Sequence, residues 1–557
     1  MTCGVRPPRT TPPSMTDLSR PPRGTWSGPL ELAGRLARSL VAFLTILFLG
    51  PLTALGQSPD PEPLFGGDSP PPTLEQRLDA LESSNRNLVD QVFRVEQENA
   101  RLRQELDAVV PPIGGTTGPI ETDPTAIPMN GGLQPADHLS DPPATPSAKA
   151  KSNALKGVFD EGFKWKTEDG EYDLQFHQET QLDVRAYGDP HPDPVNRFGF
   201  YIARMRFIFN GHLTKPIEYN VSINKGTGSL DLLDAYLNFN YDKRFQFRFG
   251  RYRVPYTYDW YALSNQFLVT PERSVFAINY GYNRNFAAML HGELLEEEVD
   301  YAVAIATGPR NSYFDTNADK DLLAYLNVRP FRNLMGWEDF QNFQVGGSMA
   351  YGSQNQDPLP VSFRTSANAS ESPGTVEGVP AFLELNGNVT ERGLRELWEL
   401  HAAWYWQQLS LLGAWDHGFN TYGFTNSAAQ VRLPTSGYHV QVGYFLTGEE
   451  VERRTFVEPL RPFDPSRGLH GPGAIELAFR YDHFQVGQEV FSQGLANPAD
   501  WTNEVDTTDI GVNWYLNKYV KIDFDWQHSS YGRPVTYAPG RQHTHSDLFW
   551  TRFQIYF

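Results

Sequence analysis

The chain has 557 residues, of which 13% are aromatic, and carries a formal net charge of −19. That acidity excludes a nonspecific nucleic-acid binder, because neutralising phosphates needs clustered Lys and Arg. The mean hydropathy of −0.47 suits a soluble protein, but it suits a membrane β-barrel equally, since only every second barrel residue faces lipid.

The apolar run Leu40 to Leu49 follows Arg35 and Arg38 and precedes Pro51 and a small-residue segment. It is too short to cross a bilayer as a helix and has the layout of a secretory signal peptide. Residues 1–56 are therefore assigned to the signal and a preceding extension, with cleavage expected near Gly56 and Met15 as an alternative start. The single cysteine, Cys3, leaves with the signal, so disulfides, Cys metal sites and Cys nucleophiles are not expected in the mature chain.

A Pro-rich linker, 57–73, leads into unbroken heptads over 74–107. Leu74, Leu81, Leu88, Val95 and Leu102 occupy d, and Leu78, Asn85, Val92, Asn99 and Leu106 occupy a. A sustained apolar seam of this kind predicts an α-helical coiled coil, with Asn at a fixing register. Its expected uses are self-association and contact with the cell wall; a helix packed on its own chain is the alternative. Residues 108–155, rich in Pro, Gly, Thr and Ala without hydrophobic period, predict a disordered tether.

From Tyr172 to the last residue the pattern is a two-residue alternation, which predicts strands with one apolar and one polar face. The clearest pair is 509–528, where Ile510, Val512, Trp514 and Leu516 oppose Asp509, Gly511, Asn513 and Tyr515. Beyond Asn517-Lys518, Val520, Ile522, Phe524 and Trp526 oppose Lys521, Asp523 and Asp525. About sixteen such runs are countable over 156–557, an even number as a bacterial outer-membrane barrel requires. Connections alternate tight and long. Leu213 to Pro216, Asp242 to Arg244 and Gln407-Gln408 are tight; Val254 to Asn285, Gly352 to Arg395, Gly418 to Gly437 and Ser529 to His545 are long. Pro330 to Phe340 and Thr447 to Gly473 break this parity by being long on the side of the short turns. The fold class expected is all-β: a transmembrane antiparallel barrel whose final strand ends on Phe557. A soluble set of sandwiches does not explain the loop parity.

Several stretches resemble the phosphate-selective porin O and P family. They are Asp234-Ala-Tyr-Leu-Asn-Phe, Arg248-Phe-Gly-Arg-Tyr-Arg-Val-Pro-Tyr, Ser264-Asn265 with Pro271-Glu272-Arg273, Gly443 to Glu449, Gly473 to Tyr481 and Gly511 to Asn517. The resemblance covers the region from about Phe163 to Phe557. It implies a homotrimer of sixteen-stranded barrels in the outer membrane, in contact with lipid and passing small anions such as phosphate or polyphosphate. The loop Val254 to Asn285 is the expected constriction loop. Arg204, Arg206 and Arg248 are placed on the inner face by strand parity, and Arg251, Arg253, Arg273 and Arg284 flank or occupy the loop. Guanidinium forks match phosphate oxygens and stay charged, so these seven are the candidate pore and anion-binding residues. The competing role for each is an ion pair with a neighbouring carboxylate such as Glu179, Asp183, Glu218 or Asp234.

A general porin for other solutes, or an anchor tethered to the cell wall through the coiled coil, are the alternative functions. No enzyme is expected, since Ser410 has no evident His partner, and no cofactor or metal is expected. His543, His545 and Asp547 are read as a solvated outer loop. Trp404, Tyr405, Trp406, Trp514 and Tyr515 are read as interface-girdle residues.

Overall fold

The computed structural model describes residues 154–557, apart from 189–197, 227–229, 314, 316, 367–378, 380 and 539. The signal peptide, coiled coil and most of the tether lie outside the described residues. Eighteen strands form the main sheet, all antiparallel. The first two, β1 (Leu155–Phe159) and β2 (Phe163–Thr167), are an appended hairpin. The other sixteen close on themselves. In order they are β3 (Asp173–Tyr187), β4 (Phe198–Thr214), β5 (Ile217–Lys225), β6 (Leu230–Asp242), β7 (Phe245–Arg253), β8 (Arg284–Leu294), β9 (Val299–Ala306) and β10 (Asp321–Val328). There follow β11 (Phe343–Gln356), β14 (Val389–Trp406), β15 (Leu409–Phe424), β16 (Ser427–Phe445), β17 (Ala474–Val486), β18 (Glu504–Asn517), β19 (Val520–Ala538) and β20 (Arg541–Tyr556). A two-stranded inset, β12 (Ser362–Arg364) and β13 (Ala381–Glu384), interrupts the series. The barrel seam is β20 against β3, from Leu548↔Tyr187 to Tyr556↔Glu179.

Polarity is inverted relative to a soluble protein. On β18 and β19 the inward Asp509 and Asp523 are each 1% exposed, while the outward Ile510 and Phe524 are 50% and 45% exposed. An apolar exterior around a charged interior suits lipid outside, and closure leaves no unpaired strand edge to meet hydrocarbon. The hairpin extends the seam. β20 stops at the chain end, and the first residues of β3 pair with β2 instead, from Phe163↔Phe176 to Lys166↔Asp173. The ring of Phe557 lies 5.9 Å from that of Phe163 and 6.0 Å from that of Phe159. Alternation starting at Tyr172 did not reveal this hairpin, because five-residue strands are too short to show a period.

Two expected long loops are not loops. β15 and β16 run through Gly418 and Gly437 and are joined at 425–426. Gly418 has φ 151°, and a Cβ there would lie 2.1 Å from the Glu396 carbonyl oxygen, so this glycine marks a close approach of β14 and β15 rather than a strand end. Likewise β19 continues to Ala538 and β20 begins at Arg541, with a register shift between Ser530 and Val535 that absorbs Pro534. His543, His545 and Asp547 are therefore strand residues on β20. The turns at 215–216, 243–244, 407–408 and 518–519 are short, and 329–342 and 446–473 are long on the same rim.

Candidate pore and the loops that fill the barrel

Between β7 and β8 the segment 254–283 leaves the wall at Val254-Pro255, where the proline offers no N–H to the strand ladder. It holds two short helices, α1 (Tyr258–Tyr261) and α2 (Val275–Tyr280), capped by the Thr257 and Ser274 hydroxyls, which accept from the amides of Trp260 and Ala277. Arginines pin its internal shape. Arg273 donates to the carbonyls of Asp259 and Leu263, both at 2.7 Å, and lies 4.1 Å above the Trp260 ring. Arg253 donates to the Leu263 carbonyl at 2.8 Å and the Ser264 hydroxyl at 3.1 Å.

The segment lies inside the barrel, and side chains of the wall, with Arg454 of the 446–473 connection, capture its backbone almost residue by residue. Gln554 donates to the Gln266 carbonyl (3.0 Å), Arg454 to Phe267 (2.9 Å), Lys521 to Leu268 (3.2 Å) and Asn513 to Val269 (2.7 Å). Arg552 donates to the Pro271 carbonyl and Arg480 to that of Glu272. A buried irregular segment has to find partners for its carbonyls, and here the wall supplies them. The tip is held by charge. Glu272 accepts two bonds from Arg204, both at 2.7 Å, and one from Arg552 at 2.8 Å, while Arg552 also grips Asp183 at 2.7 and 2.9 Å. Arg480 pairs with Asp509 at 2.9 Å and Asp482 at 2.8 Å. On the other side, Glu399 accepts from the Tyr258 amide at 2.7 Å, and Gln344 donates to the Tyr258 hydroxyl at 2.9 Å.

Two further insertions share the interior. The segment 446–473 enters from the rim of the short turns. Its Arg454 side chain, 4% exposed, pairs with Glu476 at 2.6 Å. Phe456 stacks on Tyr556 at 5.1 Å and meets Phe267 at 5.2 Å, so this segment touches 254–283 directly. Towards the other rim, Phe363 and Phe382 of the β12–β13 inset pack with Tyr280 and Phe484. The inward side chains of β15 to β20 are accordingly buried. Part of the inner face of β5, β6, β7 and the second half of β4 is half-exposed, with Asn210, Glu218, Asn220, Asn240, Gln246 and Arg248 accessible, while Ser222, Asn224 and Asn238 on the same wall are buried. Within 254–283 the residues left accessible are Tyr261, Ala262, Ser264 and Phe267. The open part of the lumen thus runs between the 261–267 stretch and the wall β4–β7.

The sequence profile of the phosphate-selective porin O and P family matches residues 174–557, more than half of the chain. The chain belongs to the phosphate-selective porin O and P family. It is an outer-membrane channel protein, and the rim carrying both described ends is the periplasmic one. Among curated proteins none matches it significantly. Solved structures similar to this porin include the outer-membrane-expressed OmpT of Vibrio cholerae, at 10% identity and TM-score 0.40, covering 70% of this chain and 98% of that one. Others are OmpF of Salmonella typhi in complex with daunomycin (11%, TM-score 0.43, 72% and 100% covered) and an anion-selective porin from Comamonas acidovorans (10%, 0.43, 70% and 100%).

In this porin the seven candidate arginines fall into four groups. Arg204, Arg206 and Arg284 are paired, with Glu272, Glu179 (3.2 Å) and Asp234 (3.1 Å) respectively. Arg253 and Arg273 serve the internal shape of the loop. Arg251 is on the opposite face of β7 from Arg248, in register with Phe286, and holds the connection 307–320 through Ser312 and Asn311 with its guanidinium 4.1 Å from the Tyr313 ring. Arg248 differs from these. It is half-exposed, faces the open lumen, lies 4.5 Å from the Tyr236 ring centroid, and has no ion pair among the described residues. The groups that dock the loop, Glu272, Arg454, Arg480, Lys521 and Arg552, were not among the candidates. Inward parity pointed to Arg480, Lys521 and Arg552; nothing local pointed to Arg454, which lies in a periplasmic connection. Tyr405 and Tyr515, read as girdle residues, face inward and bond Tyr258 and Glu476.

Proposed function

We propose that this porin passes small anions, phosphate among them, along the β4–β7 side of its barrel, with 254–283 as the constriction loop. The reading is supported by one asymmetry above all: the exposed part of the inner wall lies there, and Arg248 projects from it without a carboxylate partner among the described residues. On the same wall Asn210 and Asn220 present amides, which donate to anions without a fixed charge that would trap them, while the amide of Asn240 is held by Glu218 at 2.8 Å. A field from one nearby guanidinium outweighs distant acidic groups screened beyond about 8 Å. Reversal potentials in a salt gradient across planar bilayers test this. Wild type should prefer anions, and Arg248→Ala should reduce the preference and weaken block of chloride current by phosphate. Cation preference of the wild type, or an unchanged Arg248→Ala variant, would overturn it.

The same reading includes a homotrimer. β9 and β10 have 8 residues each and β5 and β7 have 9, against 18 in β14 and 19 in β16. A tilted spanning strand needs about 9–11 residues, so the low wall is covered best by other copies of the chain. Light scattering in detergent should give three chains per particle, and Ile305→Lys on the low wall should lower that number. A monomeric wild type would refute it.

A further inference from the structure

On the outer surface, far from the lumen, β17 and β18 bring an imidazole and two carboxylates together. Inward residues of these strands, such as Asp482 and Phe484 or Val505 and Thr507, are buried, so His483, Glu504 and Asp506 point outward. His483 is in register with Asp506, and Glu504 is the next outward residue along β18. One donor atom from each of the three lies within 4.8 Å of the other two. Two neighbours fix the cluster. The His483 ring stacks on Tyr438 at 5.1 Å, and the Tyr481 hydroxyl donates to Asp506 at 2.6 Å. The acids are short of positive charge: His483 Nδ1 lies 2.9 Å from Asp506, and neither Glu504 nor Asp506 meets a Lys or Arg among the described residues. Below them on the same face, Phe479 and Ile510 are 40% and 50% exposed, so the cluster sits where the apolar belt gives way to polar surface at the extracellular rim.

We propose that His483, Glu504 and Asp506 form a site for a divalent transition metal ion of the zinc class. The donor set decides the class: one imidazole nitrogen with two carboxylates suits zinc-like ions, whereas calcium and magnesium prefer all-oxygen shells. Zinc ligands lie at about 2.1 Å from the metal, so modest side-chain rotation closes the three donors around an ion that takes the place of the His483–Asp506 contact. Both strands are held by the barrel ladder, so the backbone is already in position. The bound ion would neutralise two acids and tie β17 to β18 beneath the 487–503 loop.

The test uses the mature, untagged porin in detergent, titrated with Zn²⁺ and separately with Ca²⁺ by calorimetry. One Zn²⁺ per chain is expected, with a raised temperature for loss of heat-resistant gel migration. His483→Ala and Glu504→Gln should each weaken Zn²⁺ binding by roughly tenfold or more. His528→Ala/His545→Ala, which alters a nearby outward pair on β19 and β20, should leave it intact. Wild-type-like migration of each variant without metal verifies the barrel. Absence of Zn²⁺ binding to the wild type, preference for Ca²⁺, or loss of binding only in the His528/His545 variant would each overturn the assignment.

Discussion

Glu272→Gln is the substitution that separates a docked loop from a loose one. The Glu272 carboxylate lies between Arg204 and Arg552, with side chains 3%, 2% and 1% exposed. Removing one partner of a buried ion pair costs roughly 3–5 kcal/mol. Arg552 keeps Asp183, and Arg204 keeps Gln181 at 2.7 Å, so the lower end applies. About 3 kcal/mol is about two orders of magnitude in the ratio of docked to undocked loop. Single-channel recordings should show the steady open level of the wild type replaced by flicker, with a stronger anion preference as two guanidiniums lose their acid. Acid should act in the same way, but late. Burial opposes the charge on Glu272, yet Arg204 and Arg552 outweigh it and hold its carboxyl below the usual range. A depressed folded value means that the docking energy is complete above the unfolded value of about 4.3 and is lost as pH falls through the lower folded value. Flicker should therefore be absent from about pH 8 down to about 4.3 and appear only below. A quiet Glu272→Gln channel, or flicker beginning near pH 6, would refute the role of this carboxylate.

Other substitutions probe the periplasmic insertion and the seam. Arg454→Ala leaves Glu476 buried with Tyr515 at 2.8 Å and Asn513 at 3.0 Å but no cation. It should cost the 446–473 segment about 3 kcal/mol of docking and expose it to trypsin at Arg453 and Arg461; protection equal to wild type would count against the insertion. Deleting 154–167 removes β2 from the lower end of β3 and uncovers Phe557. The barrel should still assemble, but should lose its heat-resistant gel mobility at a lower temperature, and no shift would mean that the hairpin adds nothing to the seam.

Sequence alone determined the barrel class and the inner and outer faces of its clearest strands. The alternation of 509–528 placed Asp509, Asp523 and Asp525 inside and Val512 and Phe524 outside, as the structure does, because side-chain direction in a strand depends only on residue parity. Where that local rule met glycine and proline it erred, since Gly418 and Pro534 lie within continuous strands at a close backbone approach and a register shift. The candidate site was legible only as a set of charges on the right faces. Which charge meets which was decided by closure of the barrel: Arg552 finds Asp183 across 369 positions and Glu272 across 280. Most of the candidate arginines were thereby committed to holding the loop or to pairing. Arg248 faces the open lumen because three inserted segments fill the opposite side, and no pattern near Arg248 in the sequence carries that information.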